Sequence, residues 1–315
     1  MLEKQNRIVV TGGAGFIGKH FVRRMLEEGH DVINIDKLTY ASDKKSYASF
    51  YDRANYGFIH GDITTLETLP ECDIVVNFAA ESHVDHSIRS SRHFTMTNAL
   101  GVQNLLDLVR AYPKDLQPLF VQISTDEVYG DNVEGLHDEA APLHPSNPYA
   151  ASKAGADQIL HAYARTYGLS HLIVRLNNNY GLRQYPEKLI PRSVNRLITG
   201  RNAELHGDGS YFRNWLHVED AVTAIRLIIA KSQSNEVYNV SGDTELSNQD
   251  VVRRITEIMG LDFDEHCEFV ANRPGQDVRY GVSDAKIRKM GWHPEIDFND
   301  GLAEVIEDTI RDPHW

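Results

Sequence analysis

The stretch Val9-Val10-Thr11-Gly12-Gly13-Ala14-Gly15-Phe16-Ile17-Gly18 constrains this chain more than any other. A β-branched run leads into Gly12-x-x-Gly15-x-x-Gly18 and then into a helical pattern, so a strand must turn sharply into a helix. Glycines at this spacing permit the tight turn, close approach of backbone to a pyrophosphate and close helix–strand packing. The positive end of the helix then faces the anion. Glycine spacing alone is a weak signal. Here the next strand, "DVINID", ends in Asp36, and an acid about 20 residues downstream suits a ribose 2′-hydroxyl and repels a 2′-phosphate. NAD is therefore favoured over NADP, although the neighbouring Lys37 pulls the other way. Asp62, after the third strand, is either an adenine contact or a strand-ending cap.

The first half alternates short apolar runs with helical patterns. Strands are expected at 7–12, 31–36, 56–62, 73–80, 118–124 and 170–178, and helices at 16–29, 92–111 and 148–168. The strands are nearly continuous in Val, Ile and Phe, as in a parallel sheet covered on both faces. The expectation is a doubly wound, Rossmann-type α/β fold with a smaller C-terminal lobe. That divides the chain into 1–178 and 179–315, with the chain free to cross between lobes. Helices in the second lobe are expected near 187–199, 219–231, 247–259 and 299–310.

Net charge is −13, which argues against a nucleic-acid surface and leaves any anionic ligand to be held by local devices. The charged N-terminus does not read as a signal peptide, and no apolar run nears the roughly 20 residues of a membrane span. Two cysteines, Cys72 and Cys267, are too few for a disulfide framework, so a reducing, cytoplasmic setting is expected.

Tyr149-x-x-x-Lys153 places a phenol and an ammonium on one helix face. The ammonium, helped by a positive nicotinamide ring, is expected to lower the phenol's pKa, so that Tyr149 can take a proton from a sugar hydroxyl. Upstream, "FVQISTDEVYGD" ends a buried strand in Thr125-Asp126-Glu127. Adjacent residues of a strand point to opposite faces, so both acids reach one ligand only if the chain leaves strand geometry near Thr125.

"GGAGFIG", "NIDKLTYA", "AAESHVDHSI", "ISTDEVYGD", "NPYAASKAGAD", "NNNYGLRQYPEKLIP", "RNWLHVEDA" and "NRPGQDVRY" together span nearly the whole chain. In them the sequence resembles the nucleotide-sugar 4,6-dehydratases of the extended short-chain dehydrogenase/reductase family, the dTDP-glucose enzymes above all. "STDEVYG" is the most telling, because the family's epimerases and decarboxylases usually lack an acid where Asp126 stands. The resemblance implies a lyase acting on a nucleoside diphosphate hexose. Oxidation at carbon 4 acidifies the carbon 5 proton, which Glu127 removes. Asp126 protonates the departing carbon 6 hydroxyl, and the hydride held by NAD returns to carbon 6. Thr125 would bond the carbon 4 hydroxyl. One acid must start ionised and the other protonated, which burial and mutual repulsion can arrange.

The resemblance also implies NAD contacts from Gly12, Gly15, Phe16, Ile17, Gly18, Asp36, Lys37, Asp62, Ile63, Ala79, Ala80, Thr97, Tyr149, Lys153 and Asn179. Substrate contacts are implied for His83, Thr125, Asn178, Lys188, Leu189, His206, Arg213, Asn248 and Arg273. The two arginines suit a diphosphate, a surface salt bridge being the ordinary alternative; for Asn178 and Asn179 that alternative is a turn cap. His206 and Asn214 depart from the pattern, and the first, near the nucleobase pocket, leaves the base open between thymine, uracil and others, and the hexose between glucose and an N-acetylated relative. His83 and His86 lack further ligands in frame, so no metal is expected. The competing readings are a 4-epimerase, which has no use for Asp126, and a non-catalytic dinucleotide-binding regulator, which has no use for Tyr149 and Lys153. Helices 92–111 and 148–168 are expected, by resemblance, to form a homodimer interface.

Overall fold

The Val- and Ile-rich runs bury both faces of their strands, so helices must cover the sheet on each side. A computed structural model describes residue 2 and residues 4–313. Six strands come from the first half: β1 (Arg7–Thr11), β2 (Asp31–Asp36), β3 (Tyr56–His60), β4 (Ile74–Asn77), β5 (Leu119–Thr125) and β6 (His171–Leu176). The second half supplies β7 (Asn178–Tyr180), β8 (Ala203–His206), β9 (Phe212–His217), β10 (Glu236–Val240), β11 (Thr244–Ser247) and β12 (Cys267–Val270). The main sheet runs β10-β6-β5-β4-β1-β2-β3, with every neighbouring pair parallel. This is a Rossmann-type doubly wound sheet. Strand order reverses at β1, where β4 lies on one side and β2 on the other, and the crevice beyond their carboxyl ends is where ligands bind in such sheets.

On one face, Phe21, Val22 and Met25 of the helix Phe16–Glu27 pack with Ile225 and Ile228 of the helix Val218–Lys231. On the other, Val102, Leu105 and Leu106 pack with Ala156 and Leu160 of the helix Pro148–Tyr167. Burial contributes about 1.5–3 kcal/mol for each large side chain, which fixes the layers and hence the turns between them.

Residues 218–240 return to the main sheet, and Ile287 and Trp292 pack on the same core. The chain thus crosses back from the second lobe, as the division at residue 178 left open. That lobe has its own core around Tyr180, Trp215 and Phe298, with the small sheets β11-β9-β7 and β12-β8. Its strands are three to six residues long, too short for a period to stand out. The expected helix at 92–111 is interrupted: a π-helical turn, Thr95–Leu100, lies between Ser91–Phe94 and Gly101–Arg110. Such turns re-aim side chains at functional sites. This one carries Thr97 and Asn98, whose amide bonds the Glu81 backbone at both ends and Ser152 Oγ. Among the described residues, no helix is long and apolar enough to cross a membrane.

Candidate active site

One cavity lies over the carboxyl ends of the main sheet. Its floor on the β1 side is the glycine turn. Gly12 has φ +72°, and a Cβ there would lie 2.5 Å from Ala79 N; a Cβ on Gly18 would lie 2.3 Å from Gly12 O. Both positions therefore require glycine. No side chain caps the helix that begins at Phe16, so its first N–H groups face the cavity. Asp36 is buried at the end of β2 and accepts from Ala14 N (2.9 Å), Leu38 N (2.7 Å) and Ser42 Oγ (3.2 Å). An ionised carboxylate has about four acceptor positions, so one remains for a ribose hydroxyl. Lys37 is held between Glu81 (3.3 Å) and Asp62 (3.7 Å). Asp62 also accepts from the backbone and hydroxyl of Thr64. Ile17, Ile63, Ala79, Ala80, Thr97 and Asn179 complete this lining, and Asn179 Oδ1 is buried without a partner among the described residues. A backbone cradle, an uncapped helix start and an acid with an acceptor position to spare fit a dinucleotide.

The opposite wall carries the acids. β5 ends at Thr125, and a 3-10 turn, Asp126–Tyr129, follows at once. Thr125 Oγ1 accepts from Glu127 N (3.3 Å) and donates to Asp126 Oδ1 (3.2 Å), and the turn brings both acids to one cavity. Their surroundings differ. Asp126 is 1% exposed. Burial, and next the charge of Glu127, push its carboxyl up to about 7. Asn177 Nδ2 donates to Asp126 Oδ2 at 2.5 Å. The Glu127 carboxylate is half-buried and accepts from Asn147 Nδ2 (3.2 Å) and the Tyr280 hydroxyl (3.3 Å).

Tyr149 and Lys153 line the same cavity, and the protein groups around the phenol do not by themselves depress it. Burial, followed by the charges of Glu127 and Asp126, raises the Tyr149 pKa above its ordinary value, against a hydrogen bond with Thr125. The Lys153 ammonium is turned elsewhere: Nζ donates to Ile123 O at 2.6 Å, and burial pushes it down to about 8. One turn on, Asp157 is buried and pairs with Arg175 (3.0 Å), and Arg175 donates to the Tyr129 hydroxyl (2.6 Å). This network braces the end of β5 from below.

The substrate candidates divide into two groups. Asn178 and Lys188 line the cavity, and Lys188 Nζ donates to Ser82 O at 2.8 Å; Leu189 opens the next helix. Arg273 pairs with Asp85 at 3.1 Å and keeps a buried Nε without a partner among the described residues. The field of Asp85 reaches His206 and His83. Burial, with the charge of Lys188 next, pushes His83 down to about 4, so it is neutral. Arg213 is not the open fork expected for a diphosphate. It is 4% exposed, donates to the carbonyls of Phe212, Val278 and Asp277, and stacks 4.3 Å over the Tyr280 ring. His206, Arg213, Asn248 and Arg273 lie in the second lobe outside the cavity lining. Asn147, Asn177 and Tyr280, which hold the acids, were not assigned from sequence. Asn147 also caps the helix Pro148–Tyr167, and that capping role hid its second one.

His83 and His86 do have a third neighbour, Glu187, and the three ligand atoms lie within 4.8 Å of one another. The two imidazoles, however, stack at 4.3 Å with planes 25° apart. A metal must lie in the plane of each ring about 2 Å from its nitrogen, and planes so nearly parallel do not meet at that range.

A family model described as GDP-mannose 4,6 dehydratase matches residues 9–305. The chain belongs to that family. It is 43% identical over 310 residues to the low-salt glycan biosynthesis protein Agl12 of Haloferax volcanii, covering 97% of this chain and 99% of that one. It is 43% identical over 312 residues to a dTDP-glucose 4,6-dehydratase of Streptomyces niveus, covering 96% and 92%. The solved structure of DesIV, a dTDP-glucose 4,6-dehydratase from Streptomyces venezuelae with NAD and TYD bound, superposes with a TM-score of 0.93 at 41% identity over 98% of both chains.

Proposed function

We propose that this chain is an NAD-dependent hydro-lyase that converts a nucleoside diphosphate hexose, of the dTDP-glucose or UDP-glucose type, into its 4-keto-6-deoxy product. The observation that carries this reading is the unequal pair of acids on one cavity wall: Asp126 is buried and holds its proton to about 7, while Glu127 is half-buried between two hydrogen-bond donors. An epimerase has no leaving hydroxyl and needs no such donor. A dTDP-glucose 4,6-dehydratase relative at 43% identity supports the same chemistry.

The glycine turn, Asp36, Asp62 and the β4 end would hold NAD, which when bound accepts hydride from carbon 4, returns it to carbon 6, and adds a positive charge that favours the Tyr149 phenolate. Tyr149, with Thr125 beside it, takes the proton of the carbon 4 hydroxyl. Glu127 then removes the carbon 5 proton made acidic by the ketone. Asp126 gives its proton to the carbon 6 hydroxyl, and water leaves. Glu127 returns a proton to carbon 5, and because the hydride from carbon 4 ends on carbon 6 no net oxidation occurs; the proton gained by Tyr149 and the one lost by Asp126 balance through solvent. Lys188, on the cavity wall, and Arg273, paired with Asp85 outside it, are the cations this reading assigns to the diphosphate.

A homodimer through the outer faces of residues 91–110 and 148–167, where Met96 and Leu100 are exposed, belongs to the same proposal. So does a cytoplasmic setting, which suits the free Cys72 and Cys267.

The test is proton NMR of the purified protein in deuterium oxide with dTDP-glucose, UDP-glucose and their N-acetylglucosamine counterparts. A carbon 6 methyl signal with deuterium at carbon 5 is expected, and the sugar that produces it names the substrate. Inversion at carbon 4 without a methyl signal would make the protein an epimerase.

A further inference from the structure

Asn177 stands where the two halves of the chain meet. β6 ends at Leu176 in the main sheet, and Asn178 pairs with Trp215 in the small one. Between them, Asn177 N donates to Val240 O in the main sheet at 3.1 Å, and Asn177 O accepts from Asn179 Nδ2 at 2.9 Å. The backbone is thus fixed from both sides. The side chain is 4% exposed and lines the cavity. Its amide nitrogen donates to Asp126 Oδ2 at 2.5 Å, while its Oδ1 is buried with no partner among the described residues. An orphaned amide oxygen costs stability, and an apolar side chain of the same size would avoid that cost. Among the described residues, the one bond that the side chain makes is to the acid.

We propose, resting on the dehydratase reading above, that Asn177 is a positioning residue for proton delivery by Asp126. An amide N–H can only donate, so Oδ2 is fixed as the accepting oxygen. The acid proton then resides on Oδ1, and the Thr125 hydroxyl, which donates to Oδ1 when the acid is ionised, turns to accept from it; this is the side of the carboxyl on which the sugar reacts in the reading above. The same bond favours the ionised form, opposing burial and the charge of Glu127. It therefore orients the acid and keeps its pKa within reach of neutral pH.

The experiment compares Asn177→Leu and Asn177→Ser with the wild-type holoenzyme, using whichever nucleotide sugar gives the methyl signal. Asn177→Leu is expected to lose about tenfold or more in kcat at unchanged KM, since small misplacements of a reacting group carry losses of that order. Its alkaline pH limb should move up by about one unit, because the donor that favours the carboxylate is gone. Reduced nicotinamide should accumulate during turnover, because oxidation outruns water loss. Asn177→Ser, which keeps a short donor, should recover part of both the rate and the pH limb. An unmoved limb, with any rate loss following the loss of thermal stability, would mean that Asn177 is only structural and would overturn the proposal. A wild type that forms no methyl signal from any of the four sugars would overturn the dehydratase reading and this inference together. A wild type that does, beside an unaltered Asn177→Leu, would overturn this inference alone.

Discussion

The two walls of the cavity are built by different means. On the β1 side the backbone does the work: glycines leave room that a single methyl group would fill, a helix start offers N–H groups, and one buried carboxylate ends a strand. On the β5 side the backbone merely turns, and side chains from five separate stretches of sequence set the chemistry. Asn147, Asn177 and Tyr280 hold the two acids, and the buried Asp157–Arg175 pair supports them. A backbone cradle tolerates little substitution but is electrostatically quiet. A wall of packed acids stores unfavourable charge, and its removal should cost activity while relieving the fold.

Asp126→Asn tests this contrast with the largest effect. Water loss should slow by about 10²–10³-fold, the ordinary worth of a placed general acid, and the alkaline limb of the wild-type rate, which falls as Asp126 ionises above about 7, should vanish. Stability should move the other way. The folded protein keeps the Asp126 proton to about 7, whereas an unfolded aspartate releases it near 3.9. Between those values the folded state binds more protons, so stability falls as pH rises, by up to about 4 kcal/mol, and stays low above pH 7. Asparagine has no such loss. Thermal melts at pH 8 should show the variant more stable than wild type, with the gain shrinking toward pH 4; equal or lower stability at pH 8 would remove stored charge as the distinction between the walls.

The same contrast explains what could be read in advance. Gly12, Gly15, Gly18 and Asp36 form a local pattern, because a tight turn and the strand after it are set by residues near in sequence. The main strands were legible because burial on both faces demands unbroken apolar runs. The exit from strand geometry at Thr125 was legible because two adjacent acids cannot otherwise share a cavity. Asn177 and Tyr280 were not legible: they lie 51 and 153 residues from the acids they touch, and nothing local marks either as a partner. The direction taken by the Lys153 ammonium was not legible for a related reason. The spacing of Tyr149 and Lys153 gives a shared face, but tertiary packing decides that Lys153 donates to Ile123 O instead. The return of β10 to the main sheet also depends on packing, since Glu236–Val240 is a short run within what reads as the second lobe.

The cradle wall is probed by Gly18→Ala. The added Cβ would sit 2.3 Å from Gly12 O and 2.9 Å from Gly13 Cα, both backbone atoms that cannot swing away. Overpacking of this kind costs about 1–3 kcal/mol. Because the strained atoms are those that would face the pyrophosphate, most of the loss should appear as NAD released on dialysis rather than as unfolding. Full NAD content and an unchanged melt would show that the turn has slack, and the walls would then differ less than their construction implies.

The smallest expected effect belongs to Lys37→Ala, which separates two accounts of the cation beside Asp36. If Lys37 served a 2′-phosphate, its loss would weaken NADP binding selectively, by tenfold or more. In the structure its ammonium is already shared between Glu81 at 3.3 Å and Asp62 at 3.7 Å, on a side chain about one-third exposed. Pairs of that kind contribute at most about 1 kcal/mol. A 2′-phosphate brought there would still meet the carboxylate of Asp36, which its three neighbouring donors hold in place. The variant should therefore retain NAD to within about threefold, a difference smaller than the energy of one such pair. NADP should bind no better and no worse relative to NAD. A selective fall in NADP affinity, measured by competition on apoprotein, would show that the cradle wall too relies on a placed charge, and the contrast with the acid wall would be one of degree.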